Sequence, residues 1–283
     1  MSQSDLHRNR PTDPEATRIA RSLLFVPASR PDRFDKALAA GADAVVIDLE
    51  DAVPPADKDR ARDAVAAWLA PGRSVVVRIN GAGTGWFRGD LALCARPGVA
   101  AVMLPKAERA DQVAALRDAG AAAVMPLIES AAGFAALPAI AGAPGVQRLA
   151  FGSIDIQVDL GMRDPLEDEL LLFRSQLVLA SRLAGLQPPI DGVSTAIDDA
   201  QRLRDDVLRA RRLGFGGKLC IHPRQVEGVN RHFAPSEAER AWAQRVLAAA
   251  AAAGGAAVAL DGAMVDQPVI LRAQAILREA QRD

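Results

Sequence analysis

Eight short apolar runs, separated by segments of helical spacing, constrain this chain more than any other feature. They are SLLFVPA (22–28), AVVIDLE (44–50), SVVVRIN (74–80), AAVMLPK (100–106), AAVMPLIE (122–129), VQRLAFGS (146–153), PPIDGVS (188–194) and GKLCIHP (217–223). Between them, segments such as DRFDKALAAG (32–41) and LEDELLLFRSQLVLASRLAG (166–185) carry apolar residues at helical spacing. Several close on a glycine, at Gly41, Gly120, Gly185 and Gly214, where a helix end calls for positive φ. Runs that are apolar throughout, rather than alternating, predict strands buried on both faces, as in a parallel sheet. Eight of them predict a (β/α)8 barrel. An open doubly wound sheet would have fewer strands and a glycine-rich first turn.

The sequence divides into a polar arm (1–20), the barrel (21–230) and a C-terminal helical extension (231–283), with helices at 236–253 and 268–281 joined by the loop GGAAVALDGAMVDQPV. The extension is too small to stand alone and is expected to dock as a lid on the barrel or on a neighbouring subunit. Among 283 residues, 34 basic side chains balance 35 acidic ones, which gives no electrostatic case for nucleic acid or an anionic membrane. No run reaches the roughly 18–20 apolar residues of a membrane span. The arm has no apolar core of a signal peptide. Cys94 and Cys220 form no CxxC and read as buried thiols of a reducing compartment. A soluble, cytoplasmic protein is expected.

Barrel chemistry sits at the C-terminal strand ends. There the runs place Asp48, Glu50 and Asp51; Arg78 and Asn80; Lys106; Glu129; Asp155; Asp191; and His222. One strand-end acid can serve as a helix N-cap, as Glu129 or Asp155 would, but capping does not account for all of them at one mouth. Clustered carboxylates losing hydration call for a cation, and an oxygen-rich site suits Mg2+ or Mn2+. The histidines lack ligand spacing for zinc, and His222 reads as structural. Arg78 ends a valine run, so its fork is fixed either for a substrate carboxylate or for an ion pair with Glu50 or Asp51. Lys106 reads as a counter-charge, because neighbouring acids raise an amine's pKa and oppose Schiff-base chemistry. The glycines of NGAGTGW (80–86) do not match a dinucleotide motif and predict a loop over the mouth.

Taken together, RSLLFVPASRPDRFDKAL (21–38), DLEDAVPPADK (48–58), VVVRIN (75–80), VMLPKAE (102–108), LIESAAG (127–133), LAFGSID (149–155), GFGGKLCIHPRQV (214–226) and LDGAMVDQPV (260–269) resemble the citrate lyase β-subunit-like family of the HpcH/HpaI aldolase/citrate lyase superfamily. That family includes malyl-CoA and citramalyl-CoA lyases. The resemblance covers about 21–280. It implies a Mg2+-dependent barrel enzyme that makes or breaks a carbon–carbon bond between a 2-oxo acid and an acyl-CoA. By motif it implies Glu129 and Asp155 as metal ligands and Arg78 on the oxo-acid carboxylate. Glu50 and Asp51 would lie beside metal-bound waters. It also implies Asp261 as the acid/base, reaching an adjacent subunit's site, in a homotrimer or homohexamer. Ala28 stands where relatives often carry glycine, in a loop near the thioester.

The expected reaction is reversible retro-Claisen cleavage of a 3-hydroxyacyl-CoA such as malyl-CoA or citramalyl-CoA, with Asp261 protonating the thioester enolate. Arg30 and Lys58 are the candidate CoA contacts. The Asp-Gly segment favours a CoA lyase over its alternative, the citrate lyase β-subunit acting on a citryl carrier. A pyruvate-type class II aldolase and a non-catalytic ligand-binding barrel are the remaining readings.

Overall fold

A computed structural model describes residues 19–252 and 257–281. The expected arm lies outside this range except for Ile19 and Ala20. Eight parallel strands close into a barrel in sequence order: β1 (Ser22–Pro27), β2 (Ala44–Asp48), β3 (Val75–Arg78), β4 (Val99–Leu104), β5 (Val124–Ile128), β6 (Ala150–Phe151), β7 (Ile190–Asp191) and β8 (Gly217–Cys220), with β8 pairing back to β1. Every predicted strand is present. The apolar runs are buried twice over. One set of side chains, including Leu23, Val46, Val76, Met103, Leu127 and Leu219, fills the barrel interior. The alternating set, among them Leu24, Val45, Val77, Val102 and Ile128, packs outward against the helices.

The barrel helices are α1 (Phe34–Leu38), α2 (Lys58–Trp68), α3 (Phe87–Asp90), α4 (Ala110–Asp118), α5 (Ala131–Ala135), α6 (Leu137–Ala141), α7 (Asp155–Asp159), α8 (Leu171–Leu183), α9 (Ala200–Leu213) and α10 (Arg224–Phe233). The helix-ending glycines Gly41, Gly120, Gly185 and Gly214 all have positive φ, the backbone state that lacks a penalty only without a Cβ. Asp199 caps α9 by accepting from Arg202 N at 2.8 Å. Among the described residues no helix is long and apolar enough to cross a membrane.

The extension holds α11 (Glu237–Ala252) and α12 (Gln267–Ala280) around a small core of its own, with Ala243, Val246, Val265, Ala273 and Ile276 at its centre. Ion pairs from Arg211 to Glu239 (2.9 Å) and from Arg21 to Glu279 (3.3 Å) tie it to the barrel. Its connection is not the plain loop that the sequence reading drew. Val258–Leu260 (β9) and Ala263–Val265 (β10) form an antiparallel hairpin. Asp261 and Gly262, with φ of 51° and 78°, make its two-residue turn. Both positions need positive φ in that turn type, and Asp-Gly is the sequence that tolerates it.

Candidate active site

A cavity of about 400 Å3 opens at the C-terminal end of the barrel and brings together Asp48, Asp51, Arg78, Glu129 and Asp155. Strand register sets the first contact. Asp48 and Arg78 are Cα partners across β2 and β3, so the aspartate meets the guanidinium edge-on, with Nε to Oδ1 and Nη2 to Oδ2 both at 2.7 Å. The remaining nitrogen, Nη1, faces Glu50 Oε2 at 3.0 Å and Asp51 Oδ2 at 3.7 Å. Phe25 lies beneath, its ring 4.7 Å from Arg78 Cζ. Burial works against the charge of Arg78. The hydrogen bonds and charge of Asp48, with Glu50 and Asp51 behind them, outweigh it and hold its pKa above the ordinary value.

The sequence offers Glu50 and Asp51 as partners of Arg78, and the structure adds Asp48. Three acids within four residues look interchangeable in the sequence. Glu50 and Asp51 do face the fork, at Nη1, and the register across β2 and β3 adds Asp48 along the opposite edge.

Lys106 joins the acids of two strands. Its backbone is left-handed, with φ 47°, a state costing a non-glycine residue roughly 1–3 kcal/mol. In that state its N–H donates to Glu129 Oε1 and its Nζ to Glu50 Oε1, each at 2.7 Å. Burial lowers the Lys106 pKa, but Glu50 and then Glu129 and Asp51 more than reverse it. The amine is thus held as an ammonium counter-charge, as expected, and not as a nucleophile. Burial raises the Glu50 pKa, with Arg78 and Lys106 offsetting part of the effect.

Glu129, at the end of β5, is buried. Desolvation, then the charges of Glu50 and Asp155, push its pKa up to about 8. Neither Glu129 nor Asp155 is used as a cap. Ser130 caps α5 instead, accepting from Gly133 N at 3.1 Å, and Asp155 is the first residue of α7 with no capping hydrogen bond there. Gly152 makes the room: a Cβ at that position would overlap Glu129 Cβ and Oε2. Two carboxylates in one cavity, one crowded by negative charge and cradled by a missing Cβ, are a donor set suited to a small oxygen-seeking dication. Among the described residues no group of three or more His, Cys, Asp and Glu is arranged to hold a metal ion. Protein donors beyond such a pair would give way to water and substrate, the usual habit of Mg2+.

Other predicted groups lie elsewhere. Asn80 is buried and bound to Asp90 through its N–H (2.8 Å) and Nδ2 (2.6 Å), which ties down the glycine loop. That loop does not line the cavity. Asp191 is buried beside Arg174 Nε (2.9 Å) and Lys218 Nζ (3.5 Å). His222 Nδ1 accepts from Arg224 N at 3.2 Å, a structural role. Lys58, expected at the CoA rim, turns inward instead. Its ammonium donates to the Leu49 and Glu50 carbonyls at 2.7 Å each, clamping the turn that carries Glu50 and Asp51. Burial lowers its pKa, against the pull of Asp48, Glu50, Asp51 and Asp90. Arg30 is exposed and paired with Asp32 at 2.9 Å. Asp261 is 61% exposed, accepts from Arg245 Nη2 at 2.7 Å and is absent from its own chain's cavity lining. Cys94 and Cys220 are buried, and desolvation pushes their thiols up to about 11 and about 12.

A family model described as HpcH/HpaI aldolase/citrate lyase matches residues 21–223. A citrate lyase subunit beta-like protein of Deinococcus radiodurans is 39% identical over 278 residues, covering 92% of this chain and 96% of that protein. A (3S)-malyl-CoA thioesterase of Cereibacter sphaeroides is 34% identical over 277 residues, covering 92% and 94%. The crystal structure of protein CitE from Mycobacterium tuberculosis, in complex with magnesium, acetoacetate and coenzyme A, is similar at a TM-score of 0.83 and 39% identity. That match covers 94% of this chain and 100% of that one.

Proposed function

Because the chain belongs to the HpcH/HpaI aldolase/citrate lyase family of carbon–carbon lyases, we propose that it is a Mg2+-dependent lyase that cleaves a 3-hydroxyacyl thioester into a 2-oxo acid and an acyl thioester. The observation that carries this reading is one cavity lined by a fixed guanidinium, Arg78, and the carboxylate pair Glu129 and Asp155. In it, Glu129 and Asp155 hold Mg2+, or Mn2+ in its place. The magnesium, acetoacetate and coenzyme A held by the M. tuberculosis relative support the ligand set. When bound, the metal supplies Lewis acidity to the substrate's carboxylate and hydroxyl oxygens.

Arg78 binds the substrate carboxylate through Nη1, the edge that Glu50 and Asp51 face, while Asp48 keeps the opposite edge fixed. Lys106 keeps Glu50 anchored as that edge is taken over. The substrate hydroxyl would pass its proton to solvent water as its oxygen becomes the oxo acid's carbonyl. The electron pair of the breaking carbon–carbon bond would pass to the thioester α-carbon, and Asp261 in its protonated form would donate a proton there, to be reprotonated from solvent. The exposure of Asp261 on a hairpin tip, outside its own chain's cavity, supports delivery to the mouth of an adjacent copy in a homotrimer or homohexamer. Arg30 is the remaining candidate for CoA.

The carrier-dependent reading stands at least level with the malyl-CoA or citramalyl-CoA preference drawn from the sequence. The citrate lyase subunit beta-like relative shares 39% identity, a citrate lyase subunit beta of Leuconostoc mesenteroides 35% and the malyl-CoA thioesterase 34%. Incubating the protein and Mg2+ with malyl-CoA, citramalyl-CoA and, separately, a citryl-charged carrier protein separates the two. Oxo-acid release from a free CoA ester establishes the CoA lyase. Release from the charged carrier alone establishes the citrate lyase subunit, and release from none contradicts the lyase reading.

A further inference from the structure

Glu129 and Asp155 belong to neighbouring β/α units of the barrel, and hydrogen bonds join those units on either side of the two carboxylates. The inner bond continues the strand ladder. Gly152 N–H donates to the Ile128 carbonyl at 3.0 Å, just beyond the pairing of β5 with β6. The outer bond is made by a side chain: Ala131 N–H donates to Asp159 Oδ2 at 2.7 Å. Ala131 opens α5, directly after the Ser130 that follows Glu129, and Asp159 closes α7, about one helical turn after Asp155. The two bonds thus close a ring of chain that contains both carboxylates.

Little else anchors α7. Ile156 is its one buried side chain, and Val158 is 77% exposed. Gln157 Nε2 donates to the Ser153 carbonyl of its own unit at 2.6 Å. Among the described residues, Asp159 makes the one side-chain hydrogen bond from α7 to another β/α unit. The N–H it takes is one that α5 cannot satisfy, because first-turn amides have no acceptor within their helix, and Ser130 serves Gly133 instead. A carboxylate also suits the positive end of a helix. An acid from the flank of α5 would only cap that helix, whereas one from α7 fixes one unit against the other. The charge of Asp155 is among the causes that disfavour ionisation of Glu129, so ionising both for a metal sets them repelling each other. Resting on the reading of Glu129 and Asp155 as the Mg2+ ligands, we propose that Asp159 is a positioning residue. Its bond to Ala131 N–H holds the two carboxylates together before the metal arrives. Ligands held beforehand lose less conformational freedom on binding.

The test is calorimetric titration of the full-length, EDTA-stripped protein with Mg2+ alone, for the wild type, Asp159→Ala and Asp159→Asn, alongside thermal unfolding of each without metal. Alanine removes the acceptor, while asparagine removes the charge and keeps an oxygen for Ala131 N–H. Asp159→Ala is expected to weaken Mg2+ binding by about tenfold, the low end of the range for a disturbed ligand support, because the bond is exposed to water. Asp159→Asn is expected to retain most of the affinity. Both variants should unfold close to the wild-type midpoint, since the side chain lies on the surface. Normal affinity in Asp159→Ala overturns the proposal and leaves the metal reading standing. Equal weakening in both variants also overturns it, by showing an effect of charge and not of position. A midpoint that falls in step with affinity assigns Asp159 to stability alone and overturns it as well. Failure of the wild type itself to bind Mg2+ overturns the metal reading and the proposal with it.

Discussion

Asp48 is the residue on which the guanidinium depends. It is almost fully buried and offers both oxygens to Arg78, so Asp48→Asn removes the charge along that edge and leaves Glu50 and Asp51 at Nη1 as the remaining acids. Breaking a buried pair from one side typically costs about 3–5 kcal/mol. A lowered unfolding midpoint and a raised KM for the oxo acid are expected in the condensing direction, and unchanged values for both would contradict this role. Arg78 itself was legible in the sequence because it ends a run of three valines. Its pairing with Glu50 and Asp51 was legible too; the two-point contact with Asp48 was not, because only the register of β2 against β3 shows it. Lys58, expected as a CoA contact, donates to two backbone carbonyls at 2.7 Å each, contacts that its sequence position does not reveal.

Glu129 carries the pH dependence at this scale. Its folded pKa, about 8, lies above the ordinary carboxylate value because burial and the charges of Glu50 and Asp155 disfavour ionisation. In metal-free protein the favourable protonated state is fully present below the unfolded carboxylate pKa and is lost as pH rises towards about 8. The wild type should therefore lose stability relative to Glu129→Gln over that window in EDTA. Metal binding needs the ionised form, so Mg2+ affinity should rise with pH below about 8 and level off above it. Calorimetry at several pH values checks the sign. Affinity that falls with rising pH would contradict the assignment of Glu129.

At the scale of elements, Gly152 shows how β6 serves β5. Its missing Cβ leaves the space occupied by the Glu129 carboxylate. Gly152→Ala is expected to displace that carboxylate and weaken Mg2+ binding by about 10–100-fold, the range for a disturbed ligand support. An alanine variant binding Mg2+ normally would show that the cradle has no such role. Positions of the strands and the helix-ending glycines were legible because burial and backbone sterics act locally. The hairpin at Asp261 and Gly262 has a signal of its own, an Asp-Gly pair between short apolar segments, in a stretch whose composition otherwise suggests a loop. The same turn supplies a local reason for an aspartate at 261, independent of chemistry, since this residue tolerates positive φ. Its role must therefore be established by activity. Asp261→Asn, which keeps the turn, should reduce turnover by about 10²–10⁴-fold and leave Mg2+ binding intact.

For the whole molecule, the barrel gathers the candidate ligands and Arg78 in one mouth, while Asp261 sits on an extension with a core of its own. Two inactive variants distinguish the arrangements of that acid. Asp261→Asn and Glu129→Gln proteins, mixed and allowed to exchange subunits, should regain activity if one copy's aspartate serves another copy's mouth. No recovery despite demonstrated exchange would place the acid within its own chain's reach.

If Glu129, Asp155 and Arg78 form a metal-dependent lyase site, oxo-acid release must depend both on the metal and on Glu129. Protein stripped with EDTA is supplied with Mg2+, and the 2-oxo acid released from citramalyl-CoA, malyl-CoA and a citryl-charged carrier is followed, for the wild type and for Glu129→Gln. Release from at least one thioester that requires Mg2+ and is lost in Glu129→Gln is the predicted result. Release that persists in EDTA or in the variant, or no release from any thioester with Mg2+ present, would contradict it.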